Sequence, residues 1–330
     1  MVAKVSVIVP NYNHAPYLRQ RLDSIFNQSF QDFEVIILDD CSTDNSKEII
    51  EEYRNRPQVS HVVYNETNSG SPFKQWAKGF DLAQGEYIWI AESDDWAELN
   101  FLQEMVSYLN KDSSLAFAFC ESYREYPNQS IEGRFLGMDT CFKGLNFIVE
   151  WQIYKNNVVN ASSVVLRKSN IQSIPQDYQQ FVGSGDYLFW SQLCECGNIY
   201  YVNQCLNHFR QNDSTTTSTC MATGKTFYED YRIFEYFKSK GYVSTLALCR
   251  IIDYKLSQIE QHKDILLKNK CYNQCVSLWK KELKTKFLFA SLFWFCYHQK
   301  KKFDEFSFLA KIWKFMHLPN TNLRRKLWGK

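Results

Sequence analysis

The chain opens with a short run of β-branched residues, "KVSVIVP", that Pro10 stops, and the hydrophobic period then changes. Leu18, Leu22, Ile25 and Phe26 recur at helical spacing, which predicts a helix over residues 16–27 with those side chains on its buried face. "FEVIILDD" is a second continuous apolar run, and "STDNSKEIIEEY" follows with turn and cap residues ahead of another helical stretch. "VSHVVYN" predicts a third strand, residues 73–83 a helix, and "EYIWIAESDD" a fourth strand. Apolar strands separated by helices read as parallel strands covered on both faces. The first 110 residues therefore predict a doubly wound, mostly parallel α/β sheet flanked by helices.

Residues 111–215 continue as mixed α and β, with strand-like "SLAFAFCESY" and "SSVVLRKS" and a helix from about Asp186 to Cys196. From about residue 225 to 318 the texture becomes helical and aromatic, with few prolines or glycines. No internal repeat and no Gly- or Ser-rich linker is present, so a border near 215–225 rests on texture alone.

Composition narrows the class. With 330 residues, 45% hydrophobic and 22% charged, the chain can bury a large core and is not disordered. A net charge of +2 gives no overall pull towards nucleic acid. From Lys280 onward, however, 13 Lys or Arg stand against 3 Asp or Glu, a basic segment of about +10 on a body of about −8. The 11 cysteines include the close pairs Cys194-x-Cys196 and Cys271-x3-Cys275, with no histidine at zinc-finger spacing. Free thiols in a reducing compartment follow. "MVAKVSVIVP" lacks the layout of a signal peptide, and the longest strongly apolar run, Phe287 to Tyr297, is 11 residues. A cytoplasmic location is expected.

Three polar clusters fall where the strands end: "PNYN", "DDCSTD" and "ESDD". Open α/β sheets bind ligands beyond those carboxyl ends. In "IWIAESDDWAEL", Glu92, Asp94, Asp95 and Glu98 crowd four like charges into seven residues. Such a cluster suits a hard divalent cation shared with substrate phosphates. Tyr12 offers a face on which a base could stack, and Asp40 could accept a hydrogen bond from base or ribose. Glycine loops that cradle phosphates are absent, which leaves the phosphates to metal and basic side chains. A nucleotide diphosphate laid along the sheet edge would satisfy all three clusters.

"VSVIVPNYNHAPYLRQRLDSIFNQSFQDFEVIILDDCSTDNS" resembles the opening of family 2 glycosyltransferases, whose fold is called GT-A. "NSGSPFKQWAKGFDLAQGEYIWIAESDDW" is similar to that family's stretch leading into its D-x-D motif. The likeness is close over about residues 3–110 and looser over 150–215. It implies a nucleotide-sugar donor, a divalent metal (Mn²⁺ or Mg²⁺) and inversion at the anomeric carbon. By position, Pro10 and Tyr12 would line the nucleobase pocket and Asp40 would contact the base. Asp94 and Asp95 would divide the D-x-D duties, one on ribose or sugar and one on the metal, with Glu92 standing where the family has aspartate. Lys74 would replace an arginine near "FKQW". Arg210, in "NHFRQNDSTTTS", matches a segment with R-x-H, although Asn212 replaces the histidine.

Inversion requires a group to take the proton of the attacking hydroxyl. "VGSGDYLFWSQL" fits the family's context for that base and makes Asp186 the candidate, with Gly185 in place of the usual glutamate. Blander readings stand beside these. Asp186 could be a helix N-cap, Asp44 a cap or turn residue, Tyr12 a packed aromatic and Arg210 a surface partner for carboxylates. Glu98 would sit in the next helix's first turn, and His14 and His208 would be structural.

The sequence thus predicts a GT-A-like catalytic domain over residues 1–220. Its nucleotide-binding half would be 1–110 and its acceptor-binding half 111–220, with a helical, aromatic and basic region over 221–330. The expected function is an inverting glycosyltransferase of cell-surface polysaccharide synthesis, acting on a glycan or lipid-linked acceptor and on no nucleic acid. A sugar-phosphate nucleotidylyltransferase would need a Gly- and Arg-rich loop that "PNYNHAPYL" lacks. A phospho-accepting receiver module, suggested by Asp39-Asp40, would leave "GSGD" and the long tail unexplained. In "KKELKTKFLFASLFWFCYHQKKKFDEF", lysines flank a Phe- and Trp-rich block, so residues 280–330 are expected to rest on the inner face of a membrane. The competing reading packs that block against the catalytic domain.

Overall fold

A computed structural model describes residues 2–211 and 216–282. The polypeptide divides into two compact units, Met1–Ile233 and Phe234–Lys330. In the first, β1 (Val5–Asn11), α1 (Ala15–Phe26), β2 (Phe33–Asp39), α2 (Ser46–Tyr53), β3 (Val59–Tyr64), α3 (Pro72–Leu82) and β4 (Tyr87–Ile90) alternate as the hydrophobic pattern predicts. The four strands are parallel in the order β3-β2-β1-β4. Every residue of β1 and β2 is buried, as central strands covered on both faces require. Leu18, Leu22, Ile25 and Phe26 of α1 are buried in that core. Helix α3 lies so close to β1 that a Cβ on Gly79 would stand 2.4 Å from the Ile8 side chain.

The chain continues through β5 (Trp96–Ala97), α4 (Phe101–Lys111), β6 (Leu115–Tyr126), β7 (Gln129–Glu132), β8 (Thr140–Phe142) and α5 (Gly144–Phe147). Then come β9 (Val164–Arg167), α6 (Gly185–Cys194), β10 (Asn198–Arg210), α7 (Thr216–Ala222) and α8 (Lys225–Ser239). The full order is β3-β2-β1-β4-β9-β6-β10-β5, with β7 on β6 and β8 on β10. From β9 onward the ten-stranded sheet is mixed, because β9 runs antiparallel to both β4 and β6. That reversal matters for chemistry. The start of β9 lies at the carboxyl end of β4, beside the "ESDD" loop. Strand β10, parallel to β6, brings its own end to the same place, where His208 pairs with Trp96.

In the second unit the rest of α8 is joined by α9 (Thr245–Gln261), α10 (Lys263–Lys268) and α11 (Tyr272–Lys280), so the described part of the stretch expected to be helical, up to residue 282, is mostly helix. The Ser244 side chain caps α9 by accepting from the Ala247 amide at 3.2 Å. Phe234 packs on Trp279 with ring centroids 5.5 Å apart. The division between units falls within α8, whereas texture placed it near residue 220. The segment expected to rest on a membrane lies, beyond Glu282, outside the described residues. Among those described, no helix is long and apolar enough to cross a membrane.

Candidate functional site

The loops after β1 and β2 form one lip. Asn11, the last residue of β1, donates from Nδ2 to Asp39 Oδ2 at 2.8 Å, and Asp39 Oδ1 accepts from the Ser42 amide at 2.9 Å. Asn13, with φ of 55°, returns the chain so that its amide reaches Ser42 Oγ at 2.9 Å. Pro10 is buried in β1, while Tyr12 projects from the lip at 46% exposure. Asp44 accepts from the amides of Ala15 and Ser46, joining the starts of α1 and α2 in the turn role expected of it.

Asp40 is buried and heavily engaged. Its Oδ1 accepts from Asn65 Nδ2 at 2.6 Å, the Ser69 amide at 2.9 Å and Gln75 Nε2 at 2.8 Å. Its Oδ2 accepts from Ser69 Oγ at 2.7 Å. The carboxylate therefore ties the end of β2 to α3 and to the loop after β3, and a bond to a nucleobase would have to displace one of these partners. Lys74 donates to the Ser69 carbonyl at 2.8 Å. It lines a groove of about 300 Å³ with Lys78, Asp81 and Tyr178. The structure places it there rather than among the carboxylates.

The acidic loop, residues 92–95, is held from two sides. Asp95 is 1% exposed. Its Oδ2 accepts from Ser162 Oγ at 2.7 Å and Asn160 Nδ2 at 2.9 Å, both just ahead of β9. Its Oδ1 accepts from the Arg210 amide at 3.1 Å, at the end of β10. Ser162 Oγ also accepts from the Glu92 amide at 3.0 Å. Asn207 extends the network by donating to Asn160 Oδ1 at 3.1 Å. Glu92 accepts from Trp76 Nε1 at 2.8 Å. Asp94 is half-buried, and no other described residue donates to its carboxylate. Burial and then the Asp94 charge push Glu92 up to about 8 and Asp95 up to about 6, and burial raises Asp94 itself.

Two arginines face this crowd of acids. Arg210 donates from Nε to the Asp94 carbonyl at 2.9 Å. Its guanidinium sits 4.4 Å from the Tyr17 ring centroid and 4.7 Å from that of Trp96. The structure thus brings Arg210 to the loop, while Asn212 lies outside the described residues. Arg21 is fully buried and was not foreseen, because it lies on the apolar face of α1. Its Nε donates to the Glu92 carbonyl at 2.9 Å, and its two terminal nitrogens have no hydrogen-bond partner among the described residues. Burial lowers its pKa to about 10, against the pull of Asp95, Asp94 and Glu92. A buried cation beneath a buried acid cluster offsets part of the desolvation each charge suffers.

The histidines divide. His14 Nδ1 lies 2.8 Å from Ser93 Oγ, and burial lowers its pKa. His208 is stacked between Trp96 and Tyr123 and bridges Glu98 and Glu125, the structural role expected of it. Glu98 corrects its expectation: α4 starts at Phe101, so Glu98 precedes the helix and pairs with His208 at 2.9 Å. Among the described residues, no three His, Cys, Asp or Glu side chains form a ready-made metal cluster. Within the acidic loop, Asp94 offers a carboxylate to which no other described residue donates. Such a donor fits a Mg²⁺ or Mn²⁺ ion whose other ligands are substrate phosphates and water.

Asp186 stands in the first turn of α6, and the N-cap is Ser184, so the aspartate is not the cap. Asn156 Nδ2 donates to Asp186 Oδ2 at 2.8 Å. Burial pushes the Asp186 carboxyl up to about 7, and the Asp230 charge adds to the rise. A carboxyl poised near neutral pH suits a general base. Gly185 has a steric cause. A Cβ there would stand 2.5 Å from the Phe73 ring and 2.7 Å from the Tyr178 carbonyl, which leaves no room for a glutamate.

Residues 6–156 match the family described as Glycosyl transferase family 2. The chain is 29% identical over 226 residues to the putative teichuronic acid biosynthesis glycosyltransferase TuaG of Bacillus subtilis, covering 68% of this chain and 86% of that protein. It is 38% identical over 113 residues to the poly(ribitol-phosphate) beta-N-acetylglucosaminyltransferase TarS of Staphylococcus aureus. That match covers 34% of this chain and only 20% of TarS. The crystal structure of S. aureus TarS 1–349 in complex with UDP-GlcNAc shares the fold, with a TM-score of 0.56 at 19% identity. The likeness covers 86% of this chain and 91% of that one.

Proposed function

We propose that this chain, whose residues 6–156 match glycosyl transferase family 2, moves a sugar, with inversion, from a nucleotide diphosphate donor to an acceptor hydroxyl. That likeness does not favour the nucleotidylyltransferase or receiver readings. The observation that carries the proposal is a pairing. An uncommitted Asp94 lies between two arginines at the sheet edge, and Asp186, with a carboxyl near neutrality, is tied to the same region through residues 156–160.

Pro10 and Tyr12 form the nucleobase side of the site, and Asp40 shapes it by holding the loop at residues 65–69 against β2. Asp94, rather than Asp95, is the residue that would hold a divalent cation, because Asp95 is occupied by three protein donors. When bound, the cation neutralises charge on the diphosphate leaving group. Arg210 places a second cation beside that position, held between two rings. Lys74 is held at the Ser69 carbonyl, in the loop that Asp40 fixes, and is assigned no contact with the diphosphate. Asp186 accepts the proton of the acceptor hydroxyl as its oxygen bonds to the anomeric carbon, opposite the departing diphosphate.

TuaG and TarS are named for teichuronic acid and poly(ribitol-phosphate), which supports a glycan or lipid-linked acceptor in cell-surface polysaccharide synthesis. The same reading puts the reaction in the cytoplasm, with residues 280–330 against the inner membrane face. A thermal-stability screen of nucleotide sugars, UDP sugars first, with and without Mn²⁺ or Mg²⁺ tests the proposal. A donor at 100 times its Kd adds about 2.7 kcal/mol. Metal-dependent stabilisation by one nucleotide sugar is expected, and no shift across the panel would contradict it.

A further inference from the structure

Glu229, in α8, is 4% exposed, and its carboxylate is taken up by three consecutive backbone amides. Oε1 accepts from Val182 at 2.9 Å, and Oε2 accepts from Gly183 at 2.9 Å and Ser184 at 2.8 Å. These amides lead directly into α6, whose second residue is Asp186. Asp230 accepts from Ser184 Oγ at 2.9 Å. Arg232 donates to Gln180 Oε1 at 3.2 Å and lies 4.2 Å from the centre of the Phe181 ring. The first half of α8 thus grips residues 180–184 continuously. From another direction, Phe73 and the Tyr178 carbonyl fill the space beside Gly185. The turn that carries Asp186 has little freedom to shift.

We propose that Glu229 is a positioning residue for sugar transfer, fixing the turn that presents Asp186 to the acceptor hydroxyl. The inference rests on the reading of Asp186 as the base. Free amides at a helix start favour a nearby carboxylate in its charged form. A negative charge seated on those amides offsets their field, and Asp230 acts in the same sense. Among the described residues, Glu229 and Asp230 are the acids of α8 that face this turn, and Arg232 of the same helix adds a cation against Gln180 and Phe181. Asn156 contributes a neutral amide and α3 the uncharged Phe73 ring.

Glu229→Gln keeps the shape and one acceptor oxygen but sets an NH₂ group against donor amides. The assay is release of nucleoside diphosphate by the full chain, from whichever nucleotide sugar stabilises it, with Mn²⁺ present and water as acceptor. kcat should fall roughly 10–100-fold, since displacements of about 1 Å cost that much. Donor KM should stay unchanged, and the acid limb of the kcat profile should move to lower pH. Ser184→Ala removes only the hydroxyl bond to Asp230, because the Ser184 side chain makes no cap bond, and should lower kcat less. If Glu229→Gln does not fold, Glu229→Asp, which keeps the charge but shortens its reach to the three amides, decides in its place. Asp186→Asn separates the two claims. Retained turnover in Asp186→Asn overturns the base and, with it, the role of Glu229. An inactive Asp186→Asn beside wild-type kcat and pH profile in the folded Glu229→Gln and Ser184→Ala overturns only the role of Glu229.

Discussion

Asn156 and Asn160, four residues apart, each donate a side-chain amide to a different carboxylate, Asp186 at 2.8 Å and Asp95 at 2.9 Å. One short connection thereby fixes the spacing between the base and the acidic loop. The bond from Asn156 favours the charged form of Asp186. Asn156→Ala should therefore raise the Asp186 pKa and move the acid limb of the kcat profile above its wild-type position near pH 7. That shift is opposite in sign to the one expected for Glu229→Gln, and a pH–rate profile of both variants checks it.

Asp94 and Asp95 should separate cleanly. Asp94→Asn should lose metal-dependent donor binding with the melting temperature nearly unchanged, because no other described residue donates to that carboxylate. Asp95→Ala should be destabilised by about 2–4 kcal/mol, since Ser162, Asn160 and the Arg210 amide lose a buried acceptor. Denaturant unfolding and donor titration with Mn²⁺ measure the two effects. Equal behaviour of the two variants would contradict the division of roles.

The lip supports a similar contrast. Asp40→Ala strips an acceptor from Asn65, Ser69 and Gln75, so it should cost about 2–4 kcal/mol of stability besides any loss of nucleotide affinity. Tyr12→Ala removes an exposed ring, and should weaken binding of the free nucleotide while leaving the unfolding midpoint in place. Calorimetry with the nucleoside diphosphate, run beside thermal melts, distinguishes them.

Cys41 occupies the left-handed region at φ of 66°, and its thiol makes only a long contact, 3.5 Å, to the Glu66 carbonyl. That conformation costs an L-residue about 1–2 kcal/mol and glycine almost nothing. Cys41→Gly should therefore stabilise the chain by about 1 kcal/mol, or roughly 2–4 °C in Tm. A lower Tm would show that the side chain contributes more than its one contact suggests.

Much of this molecule was legible in its sequence, for identifiable reasons. Strands β1, β2 and β4 are buried at every position and mostly apolar, and the polar clusters after them mark the sheet edge. What escaped reading depends on contacts between distant residues. Arg21 shares its helix face with Leu18, Leu22 and Ile25, and only the Glu92 carbonyl, 71 residues away, explains why a charge is buried there. Glu229 gave no signal, because a carboxylate gripping backbone amides depends on where the chain returns. The reversed strand β9 carries Asn160 and Ser162 to Asp95, and nothing in "SSVVLRKS" states its direction.

The central claim is that Asp186 takes the acceptor's proton in a nucleotide-sugar transfer, and turnover of Asp186→Asn tests it most directly. Nucleoside diphosphate release should be followed at saturating donor with Mn²⁺, beside donor affinity measured by titration. Asparagine preserves the shape of the side chain but cannot accept that proton. The account predicts unchanged donor affinity with kcat reduced about 10²–10⁴-fold. Near wild-type turnover in this variant would contradict it.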